Sequence, residues 1–118
     1  MKWLKQNWAD TSPPSHRDLA PLDIAVSVES AAPAVARIIA AMPRWHVESC
    51  DAQSIKATRT TRFLNFVDDV VIRFEGIAGG TRIHARSQSR IGRGDLGQNR
   101  RNLLELFDAI TEQVRRLP

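Results

Sequence analysis

Two short runs on either side of Gly79-Gly80 constrain this chain more than anything else in it. In Val70 to Glu75, the residues Val70, Ile72 and Phe74 point one way while Val71, Arg73 and Glu75 point the other. In Arg82 to Ser89, Ile83, Ala85 and Ser87 oppose Arg82, His84 and Arg86 in the same manner. Alternation of period two belongs to a strand with one buried face, and paired glycines between two such runs are hairpin residues. The apolar face of that sheet needs a cover, and the end of the chain supplies one. Leu96, Leu103, Phe107, Ile110, Val114 and Leu117 fall along one side at helical spacing, with Asp95 and Gln98 placed as a capping box.

Earlier segments extend the pattern. Ile24, Val26 and Val28 alternate with Asp23, Ala25 and Ser27, which predicts a strand from Leu22. Ser30 is placed to cap a helix over residues 31–42, with Val35, Ile38, Ile39 and Met42 on one side, Pro33 near its start and Pro43 stopping it. Trp45 to Ser49 and Ile55 to Thr60 read as two further strands, with a turn at Asp51. The order is strand, helix, four strands, helix: an α+β domain in which an antiparallel sheet of about five strands carries two helices on one face. A right-handed first crossover sets the first strand beside the last strand of the meander, a reduced helix-grip-like arrangement by analogy. Residues 1–20, with Thr11-Ser12-Pro13-Pro14-Ser15, read as an irregular N-terminal arm, and residues 21–118 as a single domain. Trp3, Leu4 and Trp8 of the arm are expected to pack against that domain.

At 118 residues the chain is long enough for one core and too short for two. Cys50 is its one cysteine, which excludes an intrachain disulfide and a cysteine metal cluster and suits a reducing, cytoplasmic setting. There is no run of about 18 apolar residues, and Met1 to Trp8 does not read as a secretory leader, so a soluble protein without a transmembrane segment is expected. Charge is less evenly spread. The 17 Lys and Arg exceed the 13 Asp and Glu, for a formal charge of +4, and Arg82 to Arg101 sets six arginines against Asp95 alone. Such a stretch favours an anionic small molecule or an acidic protein surface as partner. It lacks the interleaved aromatics of single-strand binders and any recognition helix, which argues against nucleic acid.

Two polar stretches hold unusual residues at fixed spacing. One runs Thr60-Thr61-Arg62-Phe63-Leu64-Asn65-Phe66-Val67-Asp68-Asp69-Val70. The other runs Arg86-Ser87-Gln88-Ser89-Arg90-Ile91-Gly92-Arg93-Gly94-Asp95-Leu96-Gly97-Gln98-Asn99-Arg100. Together they resemble the bacterial family catalogued as domain of unknown function 1499, in which a Thr-Arg, an Asp-Asp pair entering a strand, and an Arg-Ser-x-Ser-Arg-x-Gly-x-x-Asp-Leu-Gly-x-Asn run recur in this order. The resemblance spans roughly residues 20–117 and implies no particular function. A front segment with Pro, Ser and Cys that accompanies many members is not matched by Asn7 to Ser15.

In a hairpin, Asp68 and Asp69 at the entrance of one strand meet Arg86 and Arg90 near the end of its neighbour. Arg93 and the helix start at Asp95 and Asn99 complete a corner where glycines let the chain turn and first-turn amides are free. Different uses stay open for this corner. The charges can lock register and orient the last helix, or hold a carboxylate or phosphate. They can also serve catalysis, with Asp68, Asp69 and His84 as acid or base and Arg86 or Arg90 as anion clamp. Adjacent aspartates point to opposite faces of a strand and cannot flank one substrate, which ranks catalysis last, and no residue is assigned as catalytic. Gly92 to Gly97 matches a bare dinucleotide fingerprint without the parallel βαβ unit it requires. His16, His46 and His84 lack metal-site spacing, so neither metal nor cofactor is expected. The leading expectation is a non-enzymatic binding or interaction module, holding a small ligand between sheet and C-terminal helix or a protein partner on its arginine-bearing face.

Overall fold

Residues 6–91 and 95–117 are described by the computed structural model. Their elements follow in the order β1 (Trp8–Asp10), β2 (Leu22–Ile24), α1 (Val28–Ala40), β3 (Trp45–Cys50), β4 (Ser54–Thr60), β5 (Val67–Ile77), β6 (Gly80–Ser89) and α2 (Gln98–Arg115). The sheet runs β1-β6-β5-β4-β3 with β2 also beside β6, and every pairing is antiparallel. It is an α+β fold with both helices on the inner face, and the pairing of β2 with β6 is the one expected for the strand predicted from Leu22.

The β5–β6 hairpin organises the rest. Ile77 pairs with Gly80, so the chain reverses through Ala78 and Gly79, and Gly79 holds φ at 81°, a conformation that costs glycine nothing. Val70, Ile72, Ile83 and Ala85 are buried on the inner face, against Val35 and Ile39 of α1 and Leu103, Leu106 and Ile110 of α2. On the other side of the hairpin, Gly80 lies so near β2 that a Cβ there would sit 2.0 Å from the Ile24 carbonyl oxygen.

The outer edge of β6 is shared. Trp8–Asp10 pairs with the segment from Arg86 to Gln88, and Leu22–Ile24 with the segment from Thr81 to Ile83. Between them, Thr11 closes the ladder: its amide donates to the Ala85 carbonyl at 3.0 Å and its hydroxyl accepts the Ala85 amide at 3.0 Å. The arm over residues 1–20 is therefore not irregular throughout, as expected, but contributes a strand at Trp8–Asp10. A strand of three residues shows no readable alternation; it forms because Ala9 and Leu19 are small or apolar enough to enter the core beside β6.

Helix boundaries also shift. Helix α1 begins at Val28 rather than after Ser30, with Ser27 as N-cap, so the predicted first strand ends at Ile24 and Val28 joins the helix. Pro33 consequently lies inside the helix, on an exposed position, where it removes the amide that would reach the Glu29 carbonyl. In α2 the buried stripe is Asn99, Asn102, Leu103, Leu106 and Ile110, while Leu96 and Leu117 are exposed, at 67% and 59%. Trp3, Leu4, Gly92, Arg93 and Gly94 lie outside the described residues. Among the described residues no helix is long and apolar enough to cross a membrane.

Candidate functional site

The corner predicted at the strand ends divides between the two faces of the sheet. Asp69 faces outward and meets Arg90 as a forked pair, with Arg90 Nε 3.0 Å from Oδ2 and Nη2 3.0 Å from Oδ1 of the carboxylate. Glu48 adds a second carboxylate to the same guanidinium at 3.3 Å. The hydrogen bonds that Arg90 donates to Asp69, together with the charge of that carboxylate, raise the pKa of Arg90 above its ordinary value. Arg86 does not join them. It turns to the arm, where Nη1 donates to Asp10 at 3.2 Å and the guanidinium lies 4.6 Å from the centre of the Trp8 ring. The sequence sets Arg86 against Asp68 or Asp69, but the register of β5 on β6 puts Val71 beside it, and β1 on the other edge of β6 places Asp10 opposite it.

Asp68 points the other way, into the protein, and is 1% exposed. It belongs to a polar network that α2 carries onto the inner face of β5 and β6. Asn102 Nδ2 donates to Asp68 Oδ2 at 2.8 Å and to Ser87 Oγ at 3.1 Å. Ser87 donates to Asn99 Oδ1 at 2.6 Å, and Asn99 Nδ2 donates to Ser89 Oγ at 2.9 Å and Asp95 Oδ2 at 2.6 Å. Asp95 in turn accepts the amides of Gly97 at 2.9 Å and Asn99 at 3.1 Å. Its carboxylate fills the place at the helix terminus where an outside anion would bind. The expected reciprocal capping box is absent, because Gln98 Nε2 reaches Asn102 Oδ1 at 2.7 Å instead.

The residues singled out from the sequence thus form no single pocket. Asp69 with Arg90 is an outer ion pair, Asp68, Asp95 and Asn99 share the buried network, Arg86 anchors β1, and Arg93 lies outside the described residues. The sheet stands between Asp68 and His84, so the grouping of Asp68, Asp69 and His84 into one acid–base site does not assemble. His84 sits on the outer face instead, with Nδ1 2.5 Å from Ser12 Oγ and Nε2 2.9 Å from Glu75. Asn102 and Glu75 were not anticipated. The signal for Asn102 was its spacing of three from Asn99, on the side of the helix that Leu103 and Leu106 also occupy.

A cleft lies elsewhere, between the helices. It encloses about 430 Å³ and is walled by Ile24, Val35, Ile38, Met42, Ala109 and Val114. Arg37 and Glu112 stand at its margin. Glu112 is already matched by Arg115 at 3.7 Å and Arg116 at 3.2 Å, whereas Arg37 has no ion pair among the described residues. Among those residues no group of His, Cys, Asp and Glu is placed to hold a metal ion.

Asp68, Ser87, Ser89, Asp95 and Asn99 of the two signature stretches lie in the interior network and Asp69 and Arg90 at the strand ends, and a family model described as protein of unknown function, DUF1499, matches residues 5–110. The chain belongs to the DUF1499 family. No curated protein and no solved structure matches it. Within this DUF1499 chain Ser87, Ser89 and Asp68 present polar groups on the inner sheet face, and Asn99 and Asn102 of the terminal helix meet them.

Proposed function

We propose that this DUF1499 domain binds a small amphipathic anion, an apolar body carrying one carboxylate, in the cleft between α1 and α2. Arg37 carries the reading. It is the cation at the margin of an apolar cleft with no partner of its own among the described residues, and the nearby acid, Glu112, is neutralised by two arginines. A volume of about 430 Å³ falls within the range of small-molecule sites, about 300–1,000 Å³. Apolar walls with one placed charge are the composition of such sites.

The outer face favours this choice over an acidic protein partner. Three of its four arginines are already engaged, Arg82 with Asp23, Arg86 with Asp10 and Arg90 with Asp69 and Glu48, and only Arg73 has no ion pair among the described residues. An acidic partner meeting Arg82, Arg86 or Arg90 would have to displace carboxylates of the chain itself.

Titration of the protein with decanoate, followed by calorimetry and native mass spectrometry, tests the reading. Saturable one-to-one binding is expected, weakened about tenfold or more by Arg37→Glu and abolished by Ala109→Trp, which fills the cleft. Binding that survives both substitutions, or none in the parent protein, would refute it.

A further inference from the structure

Away from the helices, Ser12, His84 and Glu75 form a hydrogen-bonded chain on the outer face. Ser12 Oγ lies 2.5 Å from His84 Nδ1, and His84 Nε2 lies 2.9 Å from a Glu75 carboxylate oxygen. The fold prepares this contact. His84 occupies the short gap on β6 between the stretches covered by β1 and β2, and the two bonds of Thr11 to Ala85 hold the following residue, Ser12, beside the imidazole. Glu75 comes from the neighbouring strand of the hairpin, opposite Arg82.

Proton positions follow from what each group can do. The Glu75 carboxylate only accepts, so Nε2 of a neutral His84 carries the hydrogen and Nδ1 is left as an acceptor. Thr11 Oγ1 already accepts the Ala85 amide, and its own hydrogen can be directed at Ser12 Oγ, 3.0 Å away. The Ser12 hydrogen then points at His84 Nδ1. A hydroxyl aimed at a base whose second nitrogen is held by a carboxylate is the arrangement of an activated nucleophile, here with the two ring nitrogens exchanged relative to the chymotrypsin-type triad.

This chain opens on a cleft of about 460 Å³, lined also by Pro14, Pro21, Asp23 and Arg82. Asp23 and Glu75 disfavour a phosphate ester, and Asp23 already holds Arg82 through bonds of 2.8 and 3.0 Å. A neutral carboxylic ester meets neither objection.

We propose that Ser12, with His84 as base and Glu75 as orienting group, is the nucleophile of an acyl-transfer site for small neutral esters. Ser12 Oγ bonds to the carbonyl carbon as its proton passes to His84 Nδ1. The bond to the leaving alcohol then breaks, and the alkoxide takes that proton. Water, giving a proton to the same nitrogen, attacks the acyl-serine carbon; the carboxylic acid departs and the proton returns to Ser12. Arg82 holds Asp23 through Nε and Nη2, and its Nη1, which makes no bond to Asp23, is the donor left to meet charge on the carbonyl oxygen.

The test uses 4-nitrophenyl acetate as substrate and a fluorophosphonate probe, both with the complete chain. Saturable hydrolysis is expected, with the probe mapped to Ser12 by peptide mass spectrometry. Ser12→Ala and His84→Asn should each lower the rate about 100-fold or more, and Glu75→Gln by less. Circular dichroism checks that the variants fold, and the labelling experiment on the parent chain does not depend on them. Ser12→Ala leaves every histidine in place, so equal hydrolysis by that variant would reveal only imidazole at the surface and overturn the assignment. Absence of label on Ser12 in the parent would overturn it equally.

Discussion

The side-chain amide of Asn102 on α2 donates to a carboxylate oxygen of Asp68 on β5 across 2.8 Å of interior, where neither residue is more than 1% exposed. The second oxygen of Asp68 has no partner among the described residues. Removing the amide would leave a buried acidic group with nothing to replace water. Asn102→Ala is expected to cost about 2–3 kcal/mol, read from urea unfolding followed by circular dichroism. Asn102→Asp should cost more, because it sets a second carboxyl group against the first.

Asp95 closes the start of α2 with two backbone amides and the Asn99 side chain. Asp95→Ala should destabilise the fold by about 1–2 kcal/mol, the scale of a lost helix cap, while Asp95→Asn should keep part of the effect. Hydrogen exchange at Gly97 and Asn99 would report the loss directly, since both amides become protected only through this carboxylate.

The outer pair behaves differently. Arg90 and Asp69 are each about half exposed, at 50% and 47% of their side-chain surface, and solvent screens their attraction. A double-mutant cycle of Asp69→Ala and Arg90→Ala should give a small coupling that fades as salt is raised. A coupling as large as the Asn102 effect, and insensitive to salt, would mean that this pair rather than the buried network anchors the strand ends.

Several carboxylates set an acid limit. The pKa of Asp18 is lowered chiefly by its hydrogen bond from Arg100, that of Asp23 by Arg82, and that of Asp51 by the backbone amides of Gln53 and Ser54. Each folded-state value lies below the unfolded one, so in the window between them the unfolded chain binds more protons. Stability from these groups is complete above the ordinary carboxylate value of about 3.9 and is lost as pH falls through the lowered values. Denaturant midpoints measured from pH 5 downward should therefore decline, and Asp23→Asn with Asp51→Asn should flatten the decline.

Gly80 sits where a side chain has no room. Because a Cβ would come within 2.0 Å of the Ile24 carbonyl oxygen, Gly80→Ala must push β2 away from β6. A loss of about 1–3 kcal/mol is expected, with increased exchange of the Ile24 and Thr81 amides. Gly79→Ala meets no atom within 4 Å and acts only through its φ of 81°.

Much of this architecture was written in the period of the side chains. Val70, Ile72 and Phe74 on β5, and Ile83 and Ala85 on β6, mark the inner face because burial on a pleated strand enforces alternation, and the Asp69–Arg90 contact follows from the hairpin they define. Trp8–Asp10 was not legible, since a three-residue strand held by the edge of β6 owes its form to tertiary hydrogen bonds rather than to local pattern. The buried polar network was half legible: Asp95 and Asn99 stood out, but Asn102 looked like an ordinary polar helix residue until a facing Asp68 gave it a reason to be inside. Ser12 gave least warning of all, because its neighbour His84 is 72 positions away and is met only after the arm has folded back.

The division of the edge of β6 between two separate pieces of chain has a consequence for self-association. An intruding strand finds no long unpaired ledge there, and at the opposite side of the sheet β3 breaks its register between Val47 and Ser49. Peeling away residues 8–11 alone would bare the main chain of Ala85 to Gln88 while the rest of the sheet stayed intact, so cross-pairing between molecules would begin from that partly opened form and not from the native one.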